Sequence, residues 1–141
     1  MTSPKSGNLD WLLDELVEQL PGVRYAVVLS TDGMVLSRSR ALSQEQAEHF
    51  SALASALQGL ARSAGSHFDA GGVRQSVIEL DRGLLFVTSA GDNACLAVLT
   101  TEDANMGMVA YEMNQTVQRV GTFLATAPRP GHAARTGQRV P

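Results

Sequence analysis

The side chains best suited to chemistry in this chain are one cysteine, three histidines and an acidic cluster near the start. Cys95 could serve as a nucleophile if a neighbouring base drew off its proton. It lies instead in the apolar run Ala94-Cys95-Leu96-Ala97-Val98-Leu99, where a thiol behaves as a small hydrophobe. His49, His67 and His132 lack metal-ligand spacing, and no recognisable further ligands accompany them. His49 is better read as a surface or interface residue of a helix. Asp10, Asp14, Glu15 and Glu18 could supply an acid and a base, but their spacing fits the solvated face of one helix. Neither a Gly-x-x-x-x-Gly-Lys-Ser/Thr loop nor a Gly-x-Gly-x-x-Gly turn is present, so neither phosphate-binding device is available. No catalytic, cofactor-binding or metal-ligating residue is expected, and the chain is read as a non-enzyme without a cofactor.

The elements that would position these residues follow from periodicity. Leu9, Leu12, Leu13, Leu16, Val17 and Leu20 recur at three- and four-residue steps and predict a helix over 9–20. Asn8 is its expected N-cap and Pro21-Gly22 its stop. Two strands, 23–30 and 34–39, flank the turn Thr31-Asp32-Gly33-Met34. Ser43 and Gln46 have capping-box spacing and open a second helix, expected to end at Gly65. Three strands near 73–80, 84–89 and 94–100 precede a third helix over 106–125, apolar along Met106, Val109, Ala110, Met113, Val117, Val120 and Leu124. The order is α-β-β-α-β-β-β-α. Tyr25–Leu29, Leu84–Val87 and Ala94–Leu99 are apolar at nearly every position, which requires cover on both faces of one antiparallel sheet. The strand 73–80 begins with the polar Arg74-Gln75-Ser76 and reads as an edge that must be blunted or paired.

The second helix carries the most information. Phe50, Leu53, Leu57, Leu60 and Ala61 share one side, expected to face the sheet. The other side carries Ala52, Ser55, Ala56, Gly59 and Ser63, and no charge occurs from Phe50 to Ala61. A solvated helix face is normally rich in charge, and glycine inside a helix costs about 1 kcal/mol relative to alanine. Small residues let another backbone approach closely, so this face is expected to pair with its twin in a second copy.

Composition bounds what remains. A chain of 141 residues fits one domain, and a single cysteine cannot build an intrachain disulfide. No run approaches the roughly 20 apolar residues of a membrane helix, and the first eight residues lack the apolar core of a signal peptide. A cytoplasmic location without membrane insertion is expected. The pI near 5.5 argues against nucleic acid as a partner. Residues 1–125 carry 8 basic and 14 acidic groups, whereas 126–141 carry Arg129, Arg135 and Arg139 and no acid. That segment, rich in Pro and Gly, reads as a disordered tail, as does 1–8, leaving 9–125 as the domain.

The order and spacing of these segments resemble the Roadblock/dynein light chain superfamily. The resemblance rests on Leu12-Leu13-Asp14-Glu15-Leu16, Pro21-Gly22-Val23 and Val27 to Leu36 through Thr31-Asp32-Gly33. It continues in Ala52-Leu53-Ala54-Ser55-Ala56-Leu57, Gly83-Leu84-Leu85-Phe86-Val87 and Ala94 to Leu99. Ten arginines against one lysine fit a GC-rich genome, and the chain looks like actinobacterial members encoded beside a sensor-kinase-like protein and a Ras-like GTPase. The resemblance implies an α/β (α+β) three-layer sandwich: a five-stranded antiparallel sheet, the second helix on one face and the first and third on the other. It implies a homodimer built on the second helices and on the edge strands, where Arg74, Gln75 and Ser76 lie. It further implies a non-catalytic adaptor that binds a small Ras-like GTPase and modulates its nucleotide cycle or localisation. The sensor-kinase-like protein is an additional expected partner, and partners could recruit the complex to the inner face of the membrane. The alternative is a small-molecule sensor of the same three-layer type, and an enzyme using Cys95 or a histidine ranks last.

Overall fold

The computed structural model describes residues 4–126. The elements are α1 (Pro4–Gln19), β1 (Val23–Ser30), β2 (Val35–Arg38), α2 (Gln44–His67), β3 (Gln75–Leu80), β4 (Gly83–Ser89), β5 (Ala94–Thr100) and α3 (Met106–Thr126). The strands form one antiparallel sheet in the order β2-β1-β5-β4-β3.

The sheet is apolar on both faces because each face carries its own core. Ala26, Val28, Leu84, Phe86, Leu96 and Val98 meet Leu9, Leu12, Leu13 and Leu16 of α1 and Val109, Met113 and Val120 of α3. The alternate residues Val27, Leu29, Val87, Cys95 and Ala97 meet Leu42 and the α2 residues Ala47 and Ala54. Alternation of side chains along each strand therefore splits one continuous apolar run between two layers.

Local signals account for most boundaries. The β1–β2 turn closes with Gly33 N–H donating to Ser30 O at 2.9 Å, and Gly33 at φ +93° takes the left-handed conformation. Ser43 Oγ accepts from Gln46 N–H, and Ser43 N–H donates to Gln46 Oε1, both at 3.1 Å, completing the capping box. Asn105 Oδ1 caps α3 by accepting from Met108 N–H at 2.9 Å.

Two helix boundaries and one burial assignment in the helices differ from expectation. First, α1 begins at Pro4, so Asn8 lies inside the helix and does not cap it. Proline is tolerated in a first turn, where its missing N–H has no helical partner in any case. The helix thus takes in residues 4–8, expected above to be disordered, while 1–3 and the tail from 127 lie outside the described residues, His132 among them. Second, α2 passes through Gly65 and ends at His67. Gly65 serves a close approach instead: Ala70 and Gly71 N–H both donate to Gly65 O, and a Cβ there would stand 2.0 Å from Gly71 O. Third, Met106 is half exposed and outside the apolar face of α3.

Candidate functional site

The underside of α2 is unexpectedly small and polar. The residues buried on the sheet are Ala47, Ser51, Ala54 and Gln58. The expected leucine face is elsewhere: Leu53 is 54% and Leu60 71% exposed, with Phe50 and Leu57 half-buried at the flank. Ala47 and Ala54 let the helix axis approach the sheet closely, and this rotates the leucines out to one side.

The leucine flank meets a matching strip on the sheet. Tyr25 of β1 pairs with Leu99 of β5, Leu99 with Leu85 of β4, and Leu85 with Ile78 of β3. Directly paired residues point to one face. Tyr25 and Leu85 pack with Leu57 and Phe50 on the α2-side cluster, which places the row on that face. Ile78 is 36% and Leu80, two residues further along β3, 50% exposed. The row therefore runs from half-buried Tyr25, Leu99 and Leu85 out to exposed Ile78 at the sheet edge.

The two sheet edges differ sharply. On β2, Asp10 Oδ1 accepts from Arg38 N–H at 3.0 Å, and Asp14 Oδ1 accepts from Arg40 N–H at 2.7 Å. Carboxylates of α1 therefore occupy donors along that edge and just beyond it. Asp10 and Asp14 are not simply a solvated face, as expected above; Glu18 is exposed, and Glu15 is bridged to Arg119 at 3.3 Å. At the opposite edge, Val77, Ile78, Glu79 and Leu80 of β3 are all exposed.

The residues expected at an interface divide into three groups. Ala52, Ala56 and Ser63 are exposed on the outer side of α2, as anticipated. Gly59 is half-buried beside them, and a Cβ there would meet only the Arg62 guanidinium, at 4.0 Å. Nothing else within the described chain crowds this position. Ser55 is diverted: its hydroxyl donates to Thr31 O at 3.0 Å and fastens the β1–β2 turn to α2. Arg74 is exposed just before β3, and its carbonyl accepts from Thr88 Oγ1 at 3.0 Å. Gln75 and Ser76 are half-buried, and Ser76 Oγ donates to Gln58 Oε1 at 3.1 Å.

Sequence reasoning missed Leu53, Leu60, Ile78 and Leu80 as surface residues and Gln58 as a buried one. The available signal was the spacing of Ala47, Ser51, Ala54 and Gln58, at steps of four, three and four. Two polar members disguised that stripe as a solvent face.

Conventional chemical groups sit apart from this surface. Cys95 is buried beneath α2; burial pushes its thiol pKa up, while a hydrogen bond with Gln58 and the Arg62 charge pull it down. His49 and His67 are exposed, and His67 stacks edge-on against Phe68. Among the described residues, no group of three or more His, Cys, Asp or Glu side chains could hold a metal ion. None of their helices is long and apolar enough to cross a membrane. A groove of about 410 Å³ opens between α1 and α3, where Trp11 lies under the Arg119 guanidinium among Leu9, Leu12 and Phe123. It is on the outer surface of that layer, whereas the ligand-sensing alternative places a ligand against the sheet.

Comparison with known proteins agrees with this architecture. Residues 9–100 match the Roadblock/LC7 domain. A solved Roadblock/LC7 domain from Streptomyces avermitilis is 48% identical, with a TM-score of 0.81, over 84% of this chain and 98% of that one. The uncharacterized protein MJ0714 of Methanocaldococcus jannaschii is 30% identical over 112 residues, 79% of this chain and 92% of its own length. The gliding protein MglB of Thermus thermophilus is 18% identical with a TM-score of 0.77, over 90% of this chain and 96% of that one, a likeness of fold. The five-stranded sheet, its element order and the matched residues lead to one conclusion: this chain belongs to the Roadblock/LC7 family.

Proposed function

We propose that this protein is a non-catalytic, homodimeric adaptor that binds a small Ras-like GTPase and modulates its nucleotide cycle or localisation. The observation carrying the proposal is the apolar surface formed by exposed Leu53 and Leu60 with half-buried Leu57 of α2, the row Tyr25–Leu99–Leu85–Ile78, half-buried up to its exposed end at Ile78, and the exposed edge β3. A second copy related by a twofold axis covers all three at once. The leucine flanks pack together, and two β3 strands pair to continue the sheet. Arg74, Gln75 and Ser76 then lie at that seam.

The outer side of α2, with Ala52, Ala56, Gly59 and Ser63, was expected above to pair with its twin; with the leucine flank exposed and taking that role, it lies beside the seam and takes the GTPase. Its small uncharged residues allow close contact, and no described residue imposes a steric requirement for glycine at Gly59. The GTPase assignment rests on the Roadblock resemblance, and the sensor-kinase-like protein enters as a further partner on the same ground. Calorimetry with the cognate GTPase loaded with GDP or with a non-hydrolysable GTP analogue tests the assignment. Saturable heat in at least one nucleotide state is expected; no binding in either state contradicts it.

A further inference from the structure

The proposed pairing surface is built on two elements with little to hold them in register. β3 contributes Val77, Ile78, Glu79 and Leu80 in exposed positions, so the second half of this strand is fastened chiefly by its ladder with β4. α2 rests on the sheet through small or polar side chains, and the buried Ser51 Oγ has no partner. Gln58 of α2, 2% exposed, links the two elements by accepting a hydrogen bond from the Ser76 hydroxyl at 3.1 Å. A glutamine amide in this position costs free energy unless its groups are satisfied, so the network is sensitive to where α2 sits.

We infer that Gln58 is a positioning residue for dimerisation: its hydrogen bond with Ser76 fixes α2 relative to the edge strand, so that helix flank and strand edge engage a second copy together. The inference rests on the homodimer proposed above. Leucine at this position would fill the space and still let the helix slide or tilt, because apolar contact is non-directional. Gln58 instead sets the spacing between Leu57 and Leu60 on the helix and Ile78 and Leu80 on the strand. In a twofold dimer the link occurs twice, so its loss is felt on both sides of the seam.

The test is the dimer dissociation constant by sedimentation equilibrium for the wild-type chain, Gln58→Leu, Ser76→Ala and the double variant. Circular dichroism selects folded samples, and hydrogen exchange follows the β3 amides. Each single variant is expected to weaken the dimer about tenfold, taking roughly 1.4 kcal/mol per tenfold change. The double variant is expected to be little worse than Gln58→Leu, because both substitutions break one bond. Exchange in β3 rises in each. Dissociation constants within twofold of wild type, or strictly additive effects, overturn the positioning role and leave the dimer standing. A wild-type monomer at every concentration overturns the dimer and this inference with it. If Gln58→Leu fails to fold, Ser76→Ala, altered at a half-buried position, decides the matter alone.

Discussion

The carboxylate of Asp10 lies 3.0 Å from the backbone nitrogen of Arg38, and through it helix α1 is hydrogen-bonded to the edge of strand β2. Asp14 repeats the contact with Arg40 N–H, and its carboxylate also stands 3.6 Å from the exposed Arg40 guanidinium. A sheet of five strands has two edges, and an open edge invites pairing. Here α1 occupies one of them and leaves β3 to associate.

Removing this cap has a definite consequence. Asp10→Ala loses a charge-assisted hydrogen bond at a half-buried site and is expected to cost about 1–2 kcal/mol in urea unfolding. Asp10→Asn keeps an acceptor oxygen and should lose less. The Asp10→Ala/Asp14→Ala pair exposes the β2 edge and should add species larger than a dimer in light scattering.

The two glycines of α2 make opposite predictions. Gly59→Ala gains helix propensity without a clash and should stabilise the isolated fold by about 0.5–1 kcal/mol. Gly65→Ala sets a Cβ against the Gly71 carbonyl and should destabilise it by about 1 kcal/mol or more, as expected for overpacking. Paired thermal melts at one protein concentration separate them.

Most of the architecture is legible in the sequence. Element order, the β1–β2 turn and the Ser43–Gln46 capping box all rest on short-range physics, and each sits where local spacing puts it. The orientation of α2 is not legible in the same way. Hydrophobicity identifies an apolar stripe but does not say whether sheet, solvent or a second chain covers it. The Leu53–Leu57–Leu60 stripe has the periodicity of a sheet-facing side, yet Ser51 and Gln58, polar by type, take the buried positions. Long-range contacts such as Asp10 to Arg38 leave no periodic trace at all.

Cys95 offers a test of burial under α2. Its raised pKa keeps the thiol neutral at pH 7–8, so a thiol reagent should modify the native protein far more slowly than the urea-unfolded chain. With the folded value above the ordinary 9.0, stability from the neutral thiol is complete below about pH 9 and is lost as pH rises through the folded value. Cys95→Ala should remove that part of the alkaline loss, measured by urea titrations at pH 8 and at pH 10. Fast labelling of the native protein at pH 7 would mean that α2 does not cover the thiol.

The leucine flank can be separated from the fold. Leu60 is mostly exposed in the single chain, so Leu60→Arg should leave secondary structure and the monomer core intact while opposing association. Leu13→Ala, at a fully buried position, should instead cost about 2–5 kcal/mol of stability. Circular dichroism and urea unfolding of the two variants distinguish loss of pairing from loss of folding.

The central claim is that α2 and β3 together form a self-pairing surface, and absolute mass by light scattering across a size-exclusion peak tests it most directly. Wild-type protein at several concentrations should give twice 15.0 kDa, and Leu60→Arg should fall toward 15.0 kDa with an unchanged circular dichroism spectrum. A wild-type mass of 15.0 kDa at every concentration would contradict the account.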